Sequence, residues 1–138
     1  MIKRNSNAGG KTVLFTLSLL FVHVLTAQSD YYWVGGTGNW SDYAHHWATT
    51  SGGTTFHNTA PSQDDNVFFD AQSFTASDQS VTIDVEDVEV ADMDWRGVQF
   101  NPMFTYDRSM EYQTLMIYGT THLDPSMEFD LEYIGFEQ

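Results

Sequence analysis

The chain has 138 residues, 41% of them hydrophobic and 15% aromatic, no cysteine, and a formal net charge of −14. So acidic a chain repels nucleic acid and anionic lipid surfaces, and its apolar fraction is too high for a disordered tail. Without cysteine there is no disulfide framework and no site for an N-terminal lipid, so stability has to come from packing or from a metal.

Residues 1–27 read as a helical secretory signal peptide. Lys3, Arg4 and Lys11 form a basic lead, an apolar-leaning run covers 12–25, and Thr26-Ala27-Gln28 follows. The run is shorter than the roughly 20 apolar residues of a membrane-spanning helix, and no second such stretch occurs. Cleavage after Ala27, although Leu25 is large for its place, predicts a secreted chain that is not an integral membrane protein. The segment from Gln28 to Gln138 is long enough for one modest core. It keeps only Arg96 and Arg108 against all 19 acidic residues, a net charge of −17. That surface suits calcium, cationic partners or solubility outside the cell.

From Tyr31 to Gly53 three tryptophans are set among glycine, serine, threonine and asparagine, a pattern of short strands and tight turns. Residues 54–65 are polar, contain Pro61, and read as a surface loop. Together, 28–66 form a Trp/Gly-rich β cap.

Apolar clusters separated by turn-forming stretches fill 67–138. Val67-Phe68-Phe69 comes first, then Val81 to Val85 alternates with the period of a half-buried strand. Val88 and Val90 resume that alternation out of phase, which predicts a bulge or bend near Glu86-Asp87. Strand positions at Phe69, Ile83, Val98, Ile117 and Ile134 lie 14 to 19 residues apart. This spacing fits both the coils of a parallel β-solenoid and an antiparallel β-sandwich. The hairpin dipeptides Asn-Gly and Asp-Gly are absent, and the chain stops in mid-pattern at 134–138. The expected fold is therefore all-β, the start of a parallel β-solenoid behind the Trp-rich cap, truncated at its C-terminus; the antiparallel sandwich is the alternative.

The run YWVGGTGNWSD at 32–42, His46-Trp47, Ser51-Gly52-Gly53, Pro61 and DNVFFD at 65–70 resemble a module that opens large secreted surface proteins of gliding-type Gram-negative bacteria. Those are adhesin-like chains exported by the type IX secretion route. The resemblance extends through VTIDVEDVEVADMDWRGV and LMIYGTTHLDPSMEF, and implies a β-solenoid displayed at the cell surface.

Trp33, Trp40 and Trp47 fall seven residues apart and, with Trp95, are candidates for stacking on extracellular polysaccharide. The competing reading makes them core, since each ring buries on the order of 200 Å². Asp64, Asp65, Asp70, Asp84, Asp92 and Asp94, with Glu86 and Asp87, offer oxygen ligands for calcium, although no EF-hand or nonapeptide calcium repeat occurs. Apart from that calcium no cofactor is expected. The adjacent His45 and His46 point apart on a strand and, with the distant His57 and His122, do not spell a zinc site.

For catalysis only paired carboxylates, with Arg96 or Arg108 as clamps, are on offer. The sequence thus favours a non-catalytic extracellular surface module for display or adhesion, binding a polysaccharide or a host or cell-surface component. The alternative is a polysaccharide-binding or polysaccharide-cleaving β-helix.

Overall fold

A computed structural model of the chain describes residues 27–131 and 134–137; the basic lead and apolar run expected to form a signal peptide lie outside the described residues. The chain begins with β1 (Asp30–Trp33), β2 (Gly38–Asn39), a one-turn helix α1 (Tyr43–His46) and β3 (Trp47–Ala48). Three sets of three strands follow. They are β4 (Asn66–Phe68), β5 (Ser80–Ile83) and β6 (Asp87–Val90), then β7 (Met93–Asp94), β8 (Met103–Tyr106) and β9 (Gln113–Ile117), then β10 (Thr121–His122), β11 (Glu128–Asp130) and β12 (Ile134–Glu137).

Each strand pairs with its counterpart in the next set, giving three sheets in the orders β10-β7-β4-β1-β3, β11-β8-β5-β2 and β12-β9-β6. All these pairs are parallel except β1 with β3. Among the described residues no two consecutive strands pair, so the antiparallel sandwich does not describe this pairing.

The registers correct the expected repeat. Val67, Met93 and Thr121 are aligned in the first sheet, Val81, Phe104 and Phe129 in the second, and Val88, Leu115 and Phe136 in the third. One repeat therefore carries three strands and is longer than the spacing of the apolar clusters. The five cluster positions sample different sheets: Ile83 lies in the second and Ile117 in the third, while Val98 lies in a turn. The strands are so short that a corner follows each one, and apolar spacing marks corners and not repeats. The phase change before Val88 is one such corner, where the chain leaves the second sheet for the third.

Alternation places the larger apolar side chains inward. The aligned positions Val67 and Met93, Val81 and Phe104, and Val88 and Leu115 are all buried. Trp33, Phe69 and Trp95 lie at the ends of successive strands of the first sheet, with Phe69 stacked on Trp95 at 3.7 Å and 7°. At the last repeat Leu123 and Phe129 are 54% and 40% exposed, so the core thins toward that end. At the first repeat β3 covers β1, with Trp33 aligned to Trp47, and Phe56 bridges to Ala48 outside it. Residues 28–66 and 67–138 share two sheets and one core, because β1 and β2 pair with β4 and β5.

Candidate functional site

The four tryptophans belong to the core. Trp33, Trp47 and Trp95 are 0% exposed and Trp40 2%, which corrects the sugar-stacking role proposed for them, since a buried ring offers no face to a ligand. Trp47 meets Trp33 and Trp40 edge to face at 5.0 and 4.8 Å. The Trp33 indole N–H donates to the Gly36 carbonyl at 2.8 Å, and that of Trp47 to the Trp40 carbonyl at 2.9 Å. Their regular spacing reflects passage through β1, the β2 turn and β3 around one packing point.

His46 completes this packing. Its ring stacks on Trp33 at 4.6 Å and 7°, and Nδ1 carries the proton it donates to the Val34 carbonyl at 2.7 Å. A Cβ on Gly38 would collide with His46 Nε2, so a glycine there is what allows the approach. His45 lies outside and pairs with Asp42 at 2.7 Å, while His57 stacks on Tyr31 at 3.6 Å. The histidines are thus dispersed.

The aspartates proposed as calcium ligands are spread over separate corners, where they accept backbone N–H groups. Asp65 takes the amides of Ser29 and Ser62. Asp84 takes the Ser41 N–H at 2.9 Å and the Ser41 hydroxyl at 2.5 Å, reaching back one repeat. Asp92 accepts from Thr120 N–H at 2.6 Å, and Asp70 from Gln72 N–H. Asp64 is an exposed residue beside Asp65. Among the described residues no three His, Asp or Glu side chains converge to hold a metal ion.

Asp94 is clasped by Arg96. The guanidinium and backbone N–H of Arg96 both donate to it, and the side-chain hydrogen bond above all holds the Asp94 carboxyl below its ordinary range. This pair lies on the outward face of the five-stranded sheet, where Tyr32, Phe68, Asp94 and His122 are aligned on β1, β4, β7 and β10. Tyr32 and Phe68 stack at 4.9 Å and 17°. Partial burial first, then the charges of Asp30 and Asp70, raise the Tyr32 hydroxyl above its usual pKa. Beside Phe68 opens a cleft of about 190 Å³ that is also lined by Asp92, Met93, Asp94, Arg96, Thr120 and His122. A second cleft of about 250 Å³, on the outward side of the second sheet, is lined by Ser77, Asp78, Ser80, Asn101, Met103 and Glu128 and has no aromatic wall.

No family model, curated protein or solved structure matches the chain. Sequence patterning missed two features. Gln113, 2% exposed inside β9, donates from Nε2 to the carbonyls of Ile83 and Val85 and so braces the corner between β5 and β6. The Phe68 cleft depends on which strands are neighbours. The alternation of Tyr31 to Trp33 and Val67 to Phe69 does mark Tyr32 and Phe68 as outward, but not as stacked.

Proposed function

We propose that the chain is a non-catalytic, extracellular β module, the opening coils of a parallel β-solenoid, which serves display or adhesion at a cell surface. The observation that carries this reading is the stacking of three short strands per repeat into three sheets, parallel except where β3 joins β1, around an aromatic-rich core. Such an architecture builds an elongated scaffold whose length grows with repeat number and whose faces present side chains in rows. The β1–β3 segment with its buried tryptophans is the cap of the first coil.

Several carboxylates serve the scaffold itself, because they are engaged in holding turns. Asp84 and Asp65 tie a corner to the repeat before it, and Asp124 accepts the Gly97 N–H in the same way. Export as an adhesin-like protein of the type IX route rests on the motif resemblance and the leader-like N-terminus. Among the described residues no helix is long and apolar enough to cross a membrane.

The test is localisation in the cell that makes the protein. Antibody raised against the chain is expected to label intact cells, and external protease to remove the epitope without lysis. Recovery only from the cytosolic fraction, shielded from protease until lysis, would refute display at the surface.

A further inference from the structure

We propose that the cleft beside Phe68, on the outward face of the five-stranded sheet, binds one pyranose residue of a glycan stacked on the open face of Phe68. This goes beyond the scaffold reading, which stands whether or not the cleft is filled.

The argument starts from an interrupted stack. Tyr32 and Phe68 lie 4.9 Å apart, close to the roughly 4.8 Å between neighbouring strands, so each ring occupies one step of the sheet. Tyr32 covers one face of Phe68. The next step holds no ring: Asp94 stands there, short and drawn onto Arg96. The following step holds the His122 ring. The space left over is the cleft of about 190 Å³, bounded by Phe68 on one side and His122 on the other.

The walls define the occupant. Phe68 asks for a flat apolar face, because stacking rewards a ring laid parallel to it. The other walls ask for hydroxyls: the Asp92 carboxylate accepts, the Arg96 guanidinium donates and the Thr120 hydroxyl does both. Arg96 gives Nε and Nη2 to Asp94, and its side chain is 66% exposed, so the rest of its fork faces the cleft and solvent. A pyranose combines a C–H face with a rim of hydroxyls and matches both demands. A purely aromatic ligand would strip water from Asp94 and Arg96 without replacing it. A cation would be drawn by Asp92 and Asp94 but would meet Arg96 in the same space.

Saturation-transfer NMR on the full chain tests this, with the methyl β-glycosides of glucose, galactose, mannose and N-acetylglucosamine as probes. At least one is expected to bind, with transfer concentrated on the ring protons of one face. Binding should weaken about tenfold in Phe68→Leu, which keeps the bulk and loses the flat face, and also in Arg96→Gln, a surface change. It should be unchanged in Tyr112→Ser, which alters a 65% exposed ring elsewhere. Absence of transfer to all four glycosides overturns the proposal, as does binding that survives both cleft substitutions. Binding of a tetralysine peptide in place of the glycosides, lost in Phe68→Leu, overturns it too and gives the cleft to cations. Near-UV circular dichroism of the same samples reports the scaffold separately.

Discussion

Trp33 and Trp95 are equally buried but differently satisfied. The Trp33 N–H has the Gly36 carbonyl, whereas the Trp95 N–H is buried with no hydrogen-bond partner among the described residues. Replacing either by phenylalanine shortens a ring in a packed core. Only the change at Trp33 also strands a carbonyl, whereas the change at Trp95 removes an unpaired donor. Trp33→Phe is therefore expected to destabilise the chain by about 1–2 kcal/mol more than Trp95→Phe, read from urea unfolding of the two variants. Equal losses would show that ring packing alone sets both. Gln113 poses a sharper case, since its amide is the donor that braces two carbonyls in the interior. Gln113→Glu replaces that donor with a carboxylate facing carbonyl oxygens, a change expected to cost about 3 kcal/mol at neutral pH. Burial raises the pKa of the introduced group, so stability is regained as pH falls through that value and the acid recovers an O–H to donate. A pH-independent loss would mean that shape, not charge, is at fault.

At the scale of the element, the corners decide the fold, and they are held by single side chains. Asp84 receives two hydrogen bonds from Ser41, one repeat earlier, and so ties the corner after β5 to the corner after β2. Asp84→Ala leaves the half-buried Ser41 amide unpaired and is expected to cost about 1–2 kcal/mol, measured by thermal melting. Asp84→Asn keeps one acceptor and should lose less. Such ties explain what was legible in the sequence. Period-two alternation exposes the β5 and β6 strands and their inward residues, because side-chain direction is a local property. The Trp-rich segment likewise reads as short strands and turns, since Gly, Asn and Ser act within a few residues. What alternation does not carry is which strand lies beside which. Val67 finds Met93 and not Val81 because the chain turns a corner after Phe69 and again after Ile83, and those corners are fixed by Asp and Ser side chains that read as ordinary polar surface. The same blindness hid the cleft. Phe68, Asp94 and His122 lie a full repeat apart along the chain, and only the parallel register makes them neighbours. The tryptophans illustrate the converse error, in which a regular spacing suggests a surface row although all four rings point inward.

Over the whole molecule, acidity and stability pull against each other. A net charge of −14 repels itself at neutral pH, so acidification toward the isoelectric point of about 4.2 relieves strain in the compact state. The corner aspartates act in the opposite sense. The hydrogen bonds from Arg96 to Asp94, from Ser109 to Asp107, and from Ser126 and Gly97 to Asp124 hold these carboxyls below their ordinary range. A group whose folded value is depressed contributes its stability in full above the unfolded value, about 3.9, and loses it as pH falls through the folded one. The thermal midpoint is therefore expected to rise slightly from pH 7 toward pH 4–5 and then to fall below about pH 4. Added salt should raise the midpoint at pH 7, where repulsion is unscreened, and do little near pH 4, where most of the charge is gone. Asp124→Asn, which removes a titrating group but keeps an acceptor for Gly97, should flatten the acid arm. Melts followed by circular dichroism from pH 2 to pH 8 check both arms. A midpoint that shows no fall below about pH 4, where the chain passes its isoelectric point of about 4.2 and repulsion is no longer being relieved, would mean that the hydrogen bonds to Asp94, Asp107 and Asp124 hold the corners far less than their geometry implies.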